Sequence, residues 1–244
     1  MRTPLAETAL GKVMGPVLAV VFPASCPSCG AQLEHPMQGP LCDGCWARVA
    51  PAVVTRCRCG RRLSQGAACS RCRRGLEPWS VGLSLGPYDG PLRAAIHELK
   101  YHGKRRVARR LAHVLVGSAE ARLLLSADAV LVPVPLHPRR ERERGFNQAE
   151  RLSAAMAEAV GLRHEPRALV RRLDTPSQTG LGAKRRRANV AGAFAVRRKG
   201  AVSGRPVVLV DDVMTTGATV RACARALRDA GASEVRVVVA ARVD

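Results

Sequence analysis

Val207-Val208-Leu209-Val210-Asp211-Asp212-Val213-Met214-Thr215-Thr216-Gly217-Ala218-Thr219 decides how the chain is read. Four consecutive apolar residues predict a strand buried on both faces, as in a parallel sheet. Two carboxylates follow where that strand is expected to end. Beyond the bend, Val220, Cys223, Ala224 and Leu227 recur at helical spacing. Strand, acidic pair, Thr/Gly bend and helix start make a cradle for an anion, because the N–H groups of residues 215–219 lack helical partners and the helix dipole is positive there. Gly217 lets the backbone approach closely. The hydroxyls of Thr215, Thr216 and Thr219 can donate to phosphate oxygens. Asp211 and Asp212 would repel a phosphate, so they are expected to receive donors such as sugar hydroxyls, with the bend open to solvent.

Composition narrows the partners. The 244 residues are 47% apolar, enough for a sizeable core, but only 3% aromatic. Lys and Arg number 40 against 19 Asp and Glu, a formal charge of +21. Most of the cations are Arg, whose planar fork suits phosphate. This balance points to polyanions: nucleotides, nucleic acid or an anionic membrane. A GC-rich genome would enrich Arg and Ala as well. Scarce aromatics argue against base stacking and leave backbone electrostatics as the mode for any nucleic acid. Arg221, Arg225 and Arg228, at i, i+4 and i+7, read as a basic stripe beside the bend. The apolar run from Val13 to Phe22 is broken by Gly15 and Pro16 and falls short of the roughly 20 residues a spanning helix needs, so no membrane span is expected. A short N-terminal helix packed on the body is favoured over a signal peptide.

Eight of the nine cysteines precede residue 73, in pairs: Cys26-x2-Cys29, Cys42-x2-Cys45, Cys57-x-Cys59 and Cys69-x2-Cys72. Paired C-x2-C knuckles a dozen residues apart are a zinc signature, and four thiolates close a tetrahedral site that is structural because no position remains for water. Disulfides compete less well. Cys26, Cys29, Cys42 and Cys45 are expected to hold one Zn²⁺. Cys57, Cys59, Cys69 and Cys72 form a second candidate site that the short Cys57-x-Cys59 pair puts in question; one ion or two, and an interleaved pairing, stay open. Cys223 reads as a small buried apolar residue.

The body reads as alternating strands and helices, hence an α/β fold with a mainly parallel, doubly wound sheet. Expected strands are Ser80–Leu85, Asp128–Pro135, residues 166–173, Gly192–Val196 returning to the sheet, and Val235–Ala241. Expected helices are an apolar-striped one after Pro91 ending at Lys100–Arg105, a second from about Arg106 to Leu124, and one ending near Val160, preceded by a basic loop from Leu136 to Gln148 in which Asn147 and Gln148 offer polar contacts. Lys100, Arg139, Arg142 and Arg144 are candidate partners of a diphosphate. Thr175–Val190, small residues followed by a cationic run with Lys184, looks like a lid over a charged transition state. Residues 1–78 are expected to form a helix plus zinc module and 79–244 a second domain.

The acidic pair with T-T-G-x-T resembles the 5-phosphoribosyl diphosphate (PRPP) loop of type I phosphoribosyltransferases. Tyr88-Asp89-Gly90-Pro91-Leu92-Arg93, Leu99-Lys100-Tyr101, Val132-Pro133-Val134-Pro135-Leu136-His137, Arg144-Gly145-Phe146-Asn147-Gln148-Ala149, Gln178-Thr179-Gly180-Leu181, Arg187-Ala188-Asn189-Val190 and Gly192-Ala193-Phe194 follow the cysteine knuckles in the order of the ComF/GntX family, which the chain resembles from about residue 20 onward. The resemblance implies a type I phosphoribosyltransferase fold and a PRPP or related phosphoribosyl ligand. It places ribose on Asp211 and Asp212, the 5′-phosphate on Thr215, Thr216, Gly217, Ala218 and Thr219, and the diphosphate by Val134, Pro135, Leu136 and His137. Mg²⁺ would accompany the diphosphate. The family is associated with natural transformation, with single-stranded DNA and a helicase partner in the cytoplasm, and in some bacteria with gluconate uptake or DNA as a nutrient. Two readings follow: a phosphoribosyl transfer to a nitrogenous acceptor, or a non-catalytic scaffold holding single-stranded DNA.

Overall fold

In the computed structural model, which describes residues 24–34, 39–49, 56–63, 68–172 and 192–243, the Val207–Val210 run lies at the middle of a parallel sheet. The strands in chain order are β1 (Gly82–Pro87), β2 (Val130–Pro133), β3 (Arg163–His164), β4 (Leu169–Arg171), β5 (Phe194–Val196), β6 (Pro206–Met214) and β7 (Glu234–Arg242). Five of them form the main sheet in the order β1-β7-β6-β2-β3, every neighbouring pair parallel. The helices are α1 (Asp43–Ala47), α2 (Ser70–Arg73), α3 (Gly90–His102), α4 (Arg105–Val116), α5 (Ala119–Leu124), α6 (Pro138–Arg144), α7 (Gln148–Val160), α8 (Lys199–Val202) and α9 (Ala218–Asp229).

The apolar runs explain the two layers. Side chains alternate across a strand. Val208 and Val210 therefore join one core with Ile96 of α3, Leu111 of α4 and Leu152 of α7, whereas Val207 and Leu209 join another with Val220, Cys223 and Leu227 of α9. Helices α3, α4, α5 and α7 thus cover one face; α9 and the β4–β5 pair cover the other. The cysteine groups divide the same way. Cys26, Cys45 and Trp46 belong to the first core, and Cys57, Cys59, Cys69, Cys72 and Trp79 to the second. Between them the chain runs along edge strand β1: Gly82 N–H donates to the Arg58 carbonyl at 2.7 Å and Arg56 donates to Ser84 Oγ and to the Leu85 carbonyl, both at 3.2 Å.

Four expectations are corrected. The strand carrying the acidic pair does not stop before it: β6 continues to Met214 because β7 keeps pairing with it through Arg242. The helix expected from Arg106 to Leu124 is broken at Gly117–Ser118, where the Ser118 hydroxyl accepts from the Ala121 N–H and caps a new helix. The basic stretch after β2 is not a loop but α6, with Pro138 in its first turn and Gly145, at φ +79°, ending it. The Gly192–Val196 strand does not rejoin the main sheet: β5 is antiparallel to β4, with Leu169 opposite Val196 and Arg171 opposite Phe194. The N-terminal helix, the lid at Thr175–Val190 with Lys184, and the motifs at Gln178–Leu181 and Arg187–Val190 lie outside the described residues.

Candidate functional site

A parallel sheet puts ligands at the carboxyl ends of its strands where neighbouring connections leave for opposite faces. That point falls here between β2 and β6. The chain leaving β2 passes through α6 to α7 on one face, and the chain leaving β6 turns into α9 on the other. The ladder runs one residue beyond β2, from Val134 N–H to the Val210 carbonyl at 2.8 Å, and then the two chains part. Asn147, which caps α7, donates to the Val134 carbonyl at 3.0 Å and fixes the far wall.

The crevice is a cavity of about 250 Å³. Its walls are Val134, Pro135, Leu136 and Arg140 after β2, Gln148 at the start of α7, Lys100 from α3, Arg171 at the end of β4, and Asp211 to Val220 apart from Thr216. The pleat separates the two carboxylates. Asp212 has the parity of Val208 and Val210 and turns toward α3, where its Oδ2 lies 3.0 Å from Lys100 Nζ. Asp211 has the parity of Val207 and Leu209 and turns toward α9. Backbone N–H groups take one oxygen of each: Asp212 N–H donates to Asp211 Oδ1 and Val213 N–H to Asp212 Oδ1, both at 2.9 Å. Both residues are buried, at 9% and 4% exposure, more deeply than an open bend would leave them. They nonetheless line the cavity, and Thr215 at the bend is exposed.

Burial, and after it the adjoining Asp212 carboxylate, push Asp211 well above the usual carboxylate range. Burial works against the charge of Lys100, but Asp212 and then Tyr88 and Asp211 outweigh it, and its pKa is raised. The bend that follows is a left-handed turn at Gly217, φ +71°, leading into α9. A Cβ there would meet Arg221 Nη1 at 2.9 Å and Met214 Sδ at 3.2 Å, the ends of two long side chains, so it is chiefly φ that requires glycine.

The other expected site residues fall as follows. Thr216 Oγ1 accepts from the Ala218 N–H at 3.4 Å, a turn contact rather than a cavity wall. His137 caps α6 through Nδ1, which accepts from the Arg139 N–H. Arg139 is exposed and pairs with Glu143 at 2.9 Å, and Arg142 is exposed; neither lines the cavity. Arg144 touches the site through Gln148, whose Oε1 it meets at 2.6 Å. Arg140 and Arg171, which do line it, were missed: Arg140 hid among like charges, and Arg171 reaches the crevice only because β4 pairs with β5, which packs on α9. The stripe at Arg221, Arg225 and Arg228 is also corrected. Arg221 is buried and paired with Glu77, leaving Arg225 and Arg228 exposed. A larger cavity, about 440 Å³, lies between α4 and α7, where Arg105, Arg109 and Arg151 face Glu141, Glu150 and Glu158. Of the residues that the sequence singles out as ligand contacts it contains only Asn147, and its charges offset one another.

The cysteines assemble in chain order, without interleaving. The Sγ atoms of Cys26, Cys29, Cys42 and Cys45 lie within 4.8 Å of one another, and so do those of Cys57, Cys59, Cys69 and Cys72. Cys29 to Cys42 is 3.6 Å and Cys59 to Cys69 is 3.7 Å. A tetrahedron with zinc–sulfur bonds of about 2.3 Å has edges of about 3.8 Å, whereas a disulfide is about 2.05 Å. Cys69 N–H donates to Cys57 Sγ at 3.3 Å and Arg48 to Cys45 Sγ at 3.2 Å, as thiolate ligands require. Both groups fit structural zinc. The short Cys57-x-Cys59 pair works because Gly60, at φ +82°, folds the turn directly onto β1: a Cβ on Gly82 would come within 2.5 Å of the Cys59 carbonyl oxygen.

Comparisons with known proteins match two parts of the chain. A double zinc ribbon domain matches residues 17–73 and a phosphoribosyl transferase domain matches residues 166–243. The chain is 32% identical to Competence protein F of Haemophilus influenzae over 88% of its own length and 96% of that protein. It is 34% identical to the DNA utilization protein YhgH of Salmonella typhimurium, over 81% and 88%, and 26% identical to Competence protein ComFC of Bacillus subtilis, over 78% and 79%. Among solved structures, glutamine PRPP amidotransferase from B. subtilis, complexed with ADP and GMP, aligns over 54% of this chain and 26% of that one, with a TM-score of 0.37 and 26% identity. Among the described residues no helix is long and apolar enough to cross a membrane.

Proposed function

The chain belongs to the ComF/GntX family, a double zinc ribbon joined to a phosphoribosyltransferase domain, and we propose that it binds PRPP with Mg²⁺ and transfers the 5-phosphoribosyl group to a nitrogenous acceptor. One observation carries this reading: the acidic pair and the Gly217 bend line one cavity at the divergence of β2 and β6. The N–H groups around Gly217 and the start of α9 receive the 5′-phosphate. Asp211 and Asp212 accept the ribose 2′- and 3′-hydroxyls and would be the protein oxygens at hand for a magnesium ion, which would supply positive charge to offset the diphosphate. The turn at Val134–Leu136, with Arg140, receives the diphosphate. In the transfer, the bond from C1 to the diphosphate oxygen breaks and the diphosphate leaves with the electron pair. The acceptor nitrogen forms the new bond to C1 and releases its proton to water. Positive charge builds on the ribose ring meanwhile, and preorganised carboxylates beneath it stabilise that charge.

A second reading rests on the +21 charge and on relatives named for competence and DNA utilization: the fold is a scaffold for single-stranded DNA, held through backbone electrostatics. Titration calorimetry with PRPP and Mg²⁺ separates the two. Wild-type protein should bind and the doubly substituted Asp211→Asn, Asp212→Asn protein should not, while retention of single strands survives in both. Absence of PRPP binding by folded wild-type protein would refute the first reading; diphosphate release with a panel of bases then tests turnover.

A further inference from the structure

The second cysteine group is bonded to the phosphate bend by two separate routes. The first runs through Glu77, whose side chain is only 4% exposed. It accepts from Arg71 Nε at 2.5 Å, and Arg71 lies between Cys69 and Cys72. Its two oxygens also accept from Arg221 Nη1, at 3.3 and 3.2 Å. Arg221, in the first turn of α9, donates through Nη2 to the Thr216 carbonyl in the bend. The second route runs through Arg242, which donates to the Cys59 carbonyl at 2.9 Å and sits opposite Met214, the last residue of β6, in the sheet register. Val243 N–H then closes on the Met214 carbonyl at 3.0 Å. One route grips the bend and the other grips the strand end just before it.

The Arg221 contact has a directional consequence. In a trans peptide the carbonyl and the following N–H point opposite ways, and the chain has no cis bond among its described residues. Drawing the Thr216 carbonyl onto Arg221 therefore turns the Gly217 N–H away from Arg221. Gly217 is a wall of the cavity, and a donor turned off its own arginine is one that an anion can reach. Arg221 itself is bonded to Glu77 and the Thr216 carbonyl.

We infer that Glu77 and Arg221 are positioning residues that hold the Thr215–Thr219 bend in its anion-receiving shape by fastening it to the Cys57, Cys59, Cys69, Cys72 group, so that loss of metal from that group loosens the bend and weakens anion binding. Taking the anion to be a 5′-phosphate rests on the function proposed above; the mechanical link does not. The first cysteine group provides an internal control, since it packs into the core on the opposite face of the sheet.

The test measures amide hydrogen exchange over residues 212–221 in the full chain, together with zinc content and the calorimetric affinity for PRPP with Mg²⁺. Wild type is compared with Glu77→Gln, Arg221→Lys, Cys69→Ser and Cys29→Ser. Glu77→Gln should retain zinc yet speed exchange in the bend several-fold and weaken PRPP by about tenfold or more, as a misplaced binding group does. Arg221→Lys should do the same, because an ammonium cannot reproduce the fork between Glu77 and Thr216. Cys69→Ser should lose metal and reproduce the effect; Cys29→Ser should lose metal and leave the bend at the wild-type rate. Wild-type exchange in Glu77→Gln, or equal acceleration in Cys29→Ser and Cys69→Ser, would overturn the link. If Cys69→Ser does not fold, the zinc-retaining Glu77→Gln decides alone. If the exchange pattern appears but wild type binds no PRPP, the link stands and the proposed ligand falls.

Discussion

Replacing Lys100 by Met isolates the one cation that reaches the acidic pair from α3. Met keeps the apolar stem and the length, so the change is chiefly the charge. Asp212, 6% exposed at its side chain, then loses a partner at 3.0 Å. At an effective dielectric constant of about 20 that contact is worth roughly 5 kcal/mol before desolvation. Breaking a buried pair from one side costs about 3–5 kcal/mol, because the remaining charge stays buried. The expected loss is therefore about 3 kcal/mol, the low end, since Lys100 is 22% exposed and water partly replaces it. Spread over 244 residues, an unfolding entropy of about 0.5 kcal/mol/K converts this to a fall in Tm of roughly 6 °C. Thermal unfolding followed by circular dichroism at pH 7 measures this. Adding Asp212→Asn to Lys100→Met should recover about half or more of the loss at pH 7, since neither charge is then stranded. A Tm within a degree of wild type at pH 7, or no recovery in the double substitution, would show that the pair does not carry the charge balance assigned to it.

Gly217→Ala should cost about 1–2 kcal/mol for the left-handed φ alone. It should also weaken PRPP through the contacts with Arg221 and Met214, and wild-type melting and affinity together would contradict the cradle. Asp211, raised by burial, contributes stability that is present below its unfolded pKa of about 3.9 and lost as pH rises through the folded value. Asp211→Asn should therefore melt above wild type by a margin that opens as pH rises from 4, while losing PRPP binding; a pH-independent margin would refute the assignment. Reversing Arg225 and Arg228 together to Glu should lower the salt slope of single-strand retention by about 1.4 or more, and an unchanged slope would place the strand elsewhere.

Much of the fold was legible because buried parallel strands declare themselves. Val130–Val132, Val207–Val210 and Val237–Ala240 are apolar on both faces and fully buried, and a parallel sheet needs that. The errors lie where local and tertiary signals compete. A hydrophobic stripe continues from α4 into α5, so periodicity hid the break that one capping serine makes at Ser118. The strand through Asp211 and Asp212 runs on because β7 pairs beside it, a fact of the neighbouring strand that no local pattern in β6 records.

The same competition sorts the arginines. Composition and spacing can report that cations abound but not which are spent on carboxylates, and the stripe at 221, 225 and 228 shows the cost of that blindness. Arg225 and Arg228 are exposed, while Arg221 is buried against Glu77. Those two residues are 144 positions apart, and they meet only because the second cysteine group packs on the α9 face of the sheet. A guanidinium in that position would otherwise be a ready phosphate ligand. It is instead neutralised by Glu77 and turned onto a backbone carbonyl. The second cysteine group and the Gly217 bend, which the sequence separates by well over a hundred residues, are for that reason joined through buried side chains.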